Sequence, residues 1–160
     1  MQSLFHIVLV EPQIPQNTGN IGRLCVAANA MLHLIHPLGF STKEKDLKRA
    51  GLDYWQHLKV YEWANLESFW QTYTPDATHF FFSTKAKKLY FEADLKHGAF
   101  LYFGREDAGL PLHILESFKN QIYKIPMQKG VRSINLATSA GAVLYEAVRQ
   151  SRIYESWDNI

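Results

Sequence analysis

The stretch FHIVLVEPQIPQNTGNIGRLCVAANA, from Phe5 to Ala30, decides the fold class. It begins with a short, continuous apolar run, Phe5–Val10, of the kind that forms a buried strand. A polar loop with two prolines begins at Pro12, and a helical pattern covers Gly19–Ala30. A buried strand that leads through a loop into a helix is the repeating unit of parallel α/β sheets, so the stretch predicts that fold class.

The same alternation of strands and helices continues along the chain. Apolar runs rich in β-branched or aromatic residues predict further strands at Leu32–His36, Thr78–Ser83, Ala99–Gly104 and Gln121–Ile125, with a weaker candidate at His57–Tyr61. Further helical patterns cover Lys43–Ala50, Leu66–Tyr73, Leu112–Phe118 and Leu136–Ser151. We therefore expect an α/β fold, a mostly parallel sheet with helices on both faces.

Length and composition fit one compact globular domain, residues 1–160, with no internal repeat or linker. The longest apolar runs are strand-sized, so no membrane span is expected. The start, MQSLFHIVLV, lacks the basic segment and the cleavage site of a signal peptide. Cys25 is the single cysteine, so we expect a small core residue and a reducing, cytoplasmic setting.

The net charge of +2 is too small to indicate a nucleic-acid partner by itself. Basic residues are nevertheless bunched in two stretches. This makes them candidate phosphate contacts, although solvated surface charge is the simpler interpretation for any one of them. They are Lys43, Lys45, Lys48 and Arg49, and Lys85, Lys87 and Lys88.

The last predicted helix, Leu136–Ser151, has the clearest helical period. Small residues dominate its first half, so another backbone can approach it closely. Packing against the sheet is the first interpretation, and a subunit interface is the second. Its apolar face consists of Leu136, Ala140, Val143, Leu144, Ala147 and Val148.

Ligands of an open α/β sheet collect outside the carboxyl ends of the strands, and three loops there have an unusual composition. In the first loop, Asn17 or Thr18 is predicted to cap the following helix, whose first N–H groups favour an anion. Arg23 lies about one turn into that helix, where a guanidinium can grip a phosphate. A capped helix with a surface arginine is an equally good interpretation of this loop alone.

The second loop is FGREDAGLP, Phe103–Pro111. Gly104 and Gly109 bracket Glu106, and glycines so placed indicate backbone that bends or that approaches a ligand closely. The loop lacks the lysine and hydroxyl of a Walker motif. Taken singly, it is more often a turn than a site.

The third loop is IPMQKGVRSINLATS, Ile125–Ser139. Ser133 and Asn135 lead from it into the last helix. From the loop alone, capping of that helix is the favoured role for both. Ser133 has no histidine and carboxylate partners nearby in the sequence, which argues against a hydrolase nucleophile.

In this order and at these strand ends, NTGNIGR, FGREDAGLP and IPMQKGVRSINL resemble the three motifs of the SPOUT superfamily of RNA methyltransferases. EPQIPQNTGNIGRL, HPLGF, LKRAGLDY and YEAVRQ are similar to the small single-domain members that 2′-O-methylate the wobble nucleotide, cytidine or uridine, of tRNA. The resemblance covers nearly the whole chain. Any one motif is weak, whereas the ordered set is specific.

The resemblance implies a deep trefoil knot in the carboxyl-terminal third, a homodimer, and S-adenosyl-L-methionine as the cofactor. Arg23 matches the catalytic arginine of the superfamily, and Ser133 and Asn135 match its functional serine and asparagine. The positions implied to contact the cofactor are Phe82, Ser83, Thr84, Gly104, Glu106, Gly109, Ile125, Met127, Ser133 and Leu136.

Two stretches depart from the pattern of close relatives. Arg105 and Ala108 stand in the second motif, and Ala137 and Thr138 follow the asparagine of the third. These departures bear on substrate preference and on the contacts at the start of the last helix. The matched glycines, arginine, serine and asparagine keep the enzyme interpretation in place.

The chemistry fits these residues independently, because methyl transfer to a ribose hydroxyl needs no metal. No His, Cys, Asp or Glu cluster in the sequence has metal-ligand spacing. The superfamily proposal makes Arg23 a general base once it contacts a phosphate. Lowering the pKa of an arginine from its strongly basic range to near neutrality costs roughly 8 kcal/mol, so we favour an electrostatic clamp that positions the phosphate and stabilises the developing alkoxide.

Other interpretations stay open from the sequence. One is a catalytically inactive RNA-binding protein with the same fold, which would have no need of Arg23, Ser133 and Asn135 together. Another is a 2′-O-methyltransferase of a different RNA. An unrelated flavodoxin-like nucleotide-binding protein would leave the third motif unexplained.

Overall fold

The structure is a computed structural model that describes residues 4–43, 45, 47, 54–96 and 98–158. Its strands are β1 (His6–Val10), β2 (Met31–Ile35), β3 (Lys59–Trp63), β4 (His79–Phe82), β5 (Lys88–Leu89), β6 (Phe100–Phe103) and β7 (Ile122–Lys124). Its α-helices are α1 (Pro15–Ala27), α2 (Leu66–Thr72), α3 (Leu112–Ser117) and α4 (Leu136–Ser151). Short 3₁₀ helices cover Trp55–His57, Tyr90–Glu92, Lys119–Gln121 and Ile153–Ser156. In these described ranges, no helix is long and apolar enough to cross a membrane.

The strands form one sheet in the order β3-β2-β1-β6-β4-β7-β5, and every neighbouring pair runs parallel. β1 and β6 lie in the middle. From β1 the chain builds outward to β2 and β3, and the later strands β4, β7 and β5 lie beyond β6. Because all strands point the same way, their carboxyl ends meet at one edge of the sheet, and ligands of such sheets bind at that edge.

Helices cover both faces of the sheet, as the alternation predicts. Ile7 and Leu9 of β1 belong to a buried cluster with α1 and α4, whereas Val8 and Val10 belong to one with α2 and α3. Successive side chains of a strand point to opposite faces, so β1 serves both cores. Cys25 lies in the first cluster and burial raises the pKa of its thiol, which confirms it as a core residue.

Helix α4 has the predicted bounds, and its buried residues are the six of the predicted apolar face. A Cβ placed on Gly141 would lie 3.2 Å from Cδ1 of Leu24 on α1. The small residues of α4 therefore let α1 approach it closely within the same chain. Packing inside the core, the first interpretation of this helix, is confirmed.

The other elements follow the predicted order, with ends shifted by a few residues. The strand β5 was not predicted, because Lys88–Leu89 is too short to give an apolar run and lies inside a basic stretch. The helix predicted at Lys43–Ala50 falls largely outside the described residues, as do Lys48 and Arg49.

The start of α1 corrects one prediction. The helix begins at Pro15 rather than Gly19, so Asn17 and Thr18 are buried in its first turn and neither caps it. Pro15 occupies the first helical position, where a missing N–H costs nothing. Arg23 consequently lies more than two turns into the helix rather than one.

A row of buried histidine and aromatic side chains crosses the face of the sheet that packs against α2 and α3, near the amino ends of the central strands. The Phe100 ring lies between His6 and His79, with ring centroids 4.0 and 4.2 Å away. The strand register places them so, because both histidines pair with Phe100 of β6. Nε2 of His33 lies 2.9 Å from Nδ1 of His6, which extends the row to β2.

Two tryptophans fix the protonation pattern of this row, because an indole N–H only donates. Trp63 Nε1 donates to Nδ1 of His33 at 3.1 Å. His33 in its neutral form therefore carries its proton on Nε2 and donates it to His6.

The same logic holds at the other end of the row. Trp70 Nε1 donates to the Tyr102 hydroxyl at 3.0 Å, and Nδ1 of neutral His79, 2.7 Å away, is the acceptor within reach of the hydroxyl proton. The accepting nitrogens of the row are thus occupied, and protonating any of them breaks a buried hydrogen bond.

Burial lowers the pKa of His6 and of His79 to about 4, and that of His33 to about 3. Charge on His79 adds to the effect at His6, and charge on His6 adds to it at His33, whereas Asp76 opposes it at His79. An unfolded histidine titrates near ~6.5. Stability is therefore fully present above that pH and is lost as the pH falls toward about 4.

We expect the free energy of unfolding to drop by on the order of 5 kcal/mol between pH ~7 and ~4.5, measured by urea unfolding at each pH. The amide oxygen of His79→Gln can still accept from the Tyr102 hydroxyl. In this variant the slope of the free energy of unfolding against pH should decrease by the contribution of about one bound proton. His113→Gln, at an exposed position, is the control and should leave it unchanged. A free energy of unfolding that is flat with pH in the wild type would contradict this account.

Candidate active site

A cavity of about 490 Å³ lies at the carboxyl edge of the sheet, beside the ends of β4, β6 and β7. The loops after these strands line it, together with the first turn of α1 and the start of α4. Asn135 is among its lining residues. So are all the predicted cofactor positions: Phe82, Ser83, Thr84, Gly104, Glu106, Gly109, Ile125, Met127, Ser133 and Leu136.

The loop after β6 folds back tightly on the strand end. Backbone hydrogen bonds of 3.2 and 2.8 Å join Arg105 and Gly109 in both directions, and Gly109 has a φ of 70°, a left-handed conformation that favours glycine. A Cβ on Gly104 would lie 2.0 Å from the carbonyl carbon of Gly109. Any side chain at position 104 would collide with backbone, so the shape of this wall depends on that glycine.

Glu106 joins this loop to the start of α1. Its carboxylate accepts the backbone N–H of Gln13 at 2.8 Å and that of Ile14 at 3.1 Å, and it lies 3.5 Å from Nδ2 of Asn17. Helix α1 has no side-chain cap of its own. The carboxylate supplies a negative charge where the helix dipole favours one. Glu106 therefore holds two loops together, and its contact with a cofactor stays a prediction.

Asn17 extends this connection to the third loop. Asn135 Nδ2 donates to Oδ1 of Asn17 at 3.0 Å, and Oδ1 of Asn135 accepts the backbone N–H of Thr138 at 3.1 Å. Asn135 thus caps α4, one of the two roles that its position predicts. Polar contacts now run from Glu106 through Asn17 to Asn135, so the three motif loops form one hydrogen-bonded unit.

The sequence interpretation missed this role of Asn17, because it treated the residue as a local cap. A signal was available: a short polar side chain directly after a buried strand, at the predicted ligand edge. The interpretation named Lys85 as a candidate phosphate contact but missed Lys124 and Arg132 beside the cavity. Lys85, Lys124 and Arg132 line it, which makes its surroundings cationic.

Arg23 does not line the cavity in the described part of its own chain. It is exposed on α1, and its guanidinium carbon lies 4.6 Å from the ring centroid of Tyr54. Of the three predicted catalytic residues, the fold thus brings Ser133 and Asn135 together at the cavity and leaves Arg23 apart.

Comparison with known proteins identifies the family. The model of the SpoU rRNA Methylase family matches residues 4–145 of the chain. The chain belongs to this family. The resemblance to SPOUT RNA methyltransferases found in the sequence is thereby confirmed. Enzymes of this family use S-adenosylmethionine.

Individual relatives match along nearly the whole chain. The tRNA (cytidine(34)-2′-O)-methyltransferase of Saccharophagus degradans is 45% identical over 149 residues, which are 92% of this chain and 96% of that protein. A solved structure concerned with the 2-OH methylation of C/U34 on tRNA is 42% identical, with a TM-score of 0.88 over 92% of this chain and 96% of that one. The AdoMet-bound rRNA methyltransferase of Sinorhizobium meliloti is 25% identical, with a TM-score of 0.82 over 93% of this chain and 57% of that one.

Removing the Glu106 carboxylate should destabilise the fold through α1. Glu106→Ala leaves two backbone N–H groups without their acceptor, and we expect a loss of about 1–2 kcal/mol and a Tm lower by about 3–6 °C. Asp107→Ala is the matched control, because that side chain is exposed and pairs at the surface with Arg105. It should change Tm little. Equal Tm values for the two variants, measured by calorimetry without ligands, would contradict the capping role.

Proposed function

We propose that this protein transfers a methyl group from S-adenosylmethionine to the ribose 2′-hydroxyl of the wobble nucleotide, cytidine or uridine 34, of tRNA. One observation carries the proposal: the three motif loops converge on one cavity at the ligand edge of the sheet. The relatives support the substrate, since a tRNA (cytidine(34)-2′-O)-methyltransferase matches the chain over nearly its whole length. Such an enzyme would act in the cytoplasm, where tRNA is modified.

The cavity suits the cofactor in size and in chemistry. Its volume of about 490 Å³ lies in the range of small-molecule sites. Apolar side chains of Ile125, Met127 and Leu136 offer a surface for the adenine ring, and the hydroxyls of Ser83 and Ser133 offer partners for polar groups. When bound, S-adenosylmethionine supplies a methyl group that its sulfonium makes electrophilic.

The lining cations suit an RNA substrate. Lys85, Lys124 and Arg132 surround the cavity and can neutralise phosphates of the anticodon loop. Ser133 and Asn135 line the cavity, and their proposed role is to orient the hydroxyls of the ribose. Asn135 is itself held by Asn17 and by the start of α4, so its side chain is fixed in place before RNA binds.

Arg23 is proposed to clamp the phosphate beside the reacting ribose and to stabilise negative charge on its 2′-oxygen. A planar guanidinium offers two parallel donors to a phosphate. Because Arg23 lies apart from the cavity of its own chain, we propose a homodimer in which Arg23 of one subunit faces the cavity of the other.

The proposal includes the topology of the chain. Residues 1–160 form one domain, and the segments after β6 and β7 thread as a deep trefoil knot. The motif order of the sequence supports this topology, together with the TM-score of 0.88 to a solved C/U34 methylation structure.

The role of Arg23 is tested by single-turnover methylation of saturating tRNA. Arg23→Ala should lose about a hundredfold to a thousandfold in rate, as expected for one preorganised electrostatic contact, and should still bind S-adenosylmethionine in calorimetry. Arg23→Lys should recover little, because an ammonium lacks the planar fork. Near-normal turnover of Arg23→Ala would remove the arginine from the mechanism.

The dimer is tested by complementation. Ser133→Trp fills the cavity from an exposed position, so that subunit loses its own site but keeps Arg23. Heterodimers of Ser133→Trp and Arg23→Ala subunits, purified through two tags, should regain about half of the wild-type activity, because one intact cavity then faces one intact arginine. Each homodimeric variant alone is the control. Inactive heterodimers would show that the arginine acts on its own subunit.

A further inference from the structure

The guanidinium of Arg23 rests on an aromatic ring. Its Cζ lies 4.6 Å from the centroid of the Tyr54 ring, within the range of a cation–π contact. Its Nη2 lies 3.5 Å from the Tyr54 hydroxyl oxygen. Two contacts from one side chain therefore hold the head group of an otherwise exposed arginine.

Tyr54 is itself fixed relative to the same helix. It precedes the 3₁₀ helix Trp55–His57, and its carbonyl accepts the His57 N–H at 2.9 Å. This segment packs on α1 at Gly22, next to Arg23. A Cβ on Gly22 would lie 2.9 Å from Cδ2 of Leu58 and 3.2 Å from Cζ3 of Trp55. The glycine thus lets the segment approach, and the approach brings the Tyr54 ring to the guanidinium.

This arrangement suits an arginine that must receive a phosphate. A free arginine side chain loses much rotamer entropy when a ligand fixes it, and a ring beneath the guanidinium removes part of that freedom beforehand. The Tyr54 hydroxyl accepts one of the guanidinium N–H groups, and the others remain as donors for a phosphate. Within the described residues, none of the ion pairs involves Arg23, so its charge is not neutralised there by a carboxylate.

We propose that Tyr54 is a positioning residue that holds the guanidinium of Arg23 ready for the substrate phosphate. The inference rests on the proposed function, in which Arg23 acts on the RNA. Like Arg23, Tyr54 does not line the cavity of its own chain. Its effect passes through Arg23 alone.

The kinetic test compares Tyr54→Leu, Tyr54→Phe and the double variant with Arg23→Ala. Tyr54→Leu should lower the single-turnover rate constant about two- to fivefold. Tyr54→Phe, which keeps the ring, should retain most of the wild-type rate. KM for S-adenosylmethionine should not change. In the Arg23→Ala background, Tyr54→Leu should have no further effect, because the residue through which it acts is gone. Tyr61→Leu removes an exposed tyrosine elsewhere on the surface and should be silent.

A second measurement needs neither activity nor ligands. The Nε–Hε resonance of Arg23, assigned by its absence in Arg23→Lys, should show a ring-current shift in the wild type and in Tyr54→Phe. The shift should disappear in Tyr54→Leu.

The outcomes separate the two ideas. A wild type that does not methylate tRNA, or an Arg23→Ala variant with near-normal turnover, overturns the proposed function or the role of Arg23, and the role of Tyr54 with it. If Arg23→Ala is impaired, the Tyr54 proposal alone is overturned by any of three results: full activity of Tyr54→Leu, a loss that adds to that of Arg23→Ala, or a wild-type Arg23 resonance without a ring-current shift.

Discussion

The site depends on one carboxylate placed at the start of one helix. The N–H groups before α1 find their acceptor in Glu106, which is 93 residues further along the chain than Gln13. The helix start and the loop after β6 are therefore ordered together, and neither reaches its final geometry alone. The glycines at 104 and 109 serve the same contact, because they let that loop fold back far enough to present its glutamate.

Asn17 is suited to carry this connection further because an amide both donates and accepts. Its nitrogen faces a carboxylate, and its oxygen receives a hydrogen bond from Asn135. An aspartate at position 17 would place two like charges together, and an apolar residue would leave Asn135 without its partner. Hydrogen bonds between loops that are distant in sequence thus fix the relative positions of the cavity walls.

The elements with a clear hydrophobic period were predicted correctly from the sequence. The bounds and the buried face of α4 follow from a long apolar repeat, and the central strands follow from short apolar runs. The predicted start of α1 was wrong. The acceptor for the N–H groups at this helix start comes from a residue remote in sequence, which local capping rules do not consider. The short strand β5 gives no pattern at all. The three motifs identified the residues of the cavity wall. They did not show that Arg23 lies away from the cavity, because its position follows from the direction in which α1 leaves the sheet.

The row of histidines at the amino end has an optical consequence. Trp63 and Trp70 both donate hydrogen bonds into this row, one to an imidazole and the other to the phenol that contacts one. A positively charged imidazole quenches indole fluorescence at contact distance, whereas a neutral one does so far less. The protein therefore carries built-in reporters of protonation in a row of side chains that does not line the cavity. Their emission can be followed without a label while the cavity binds its ligands.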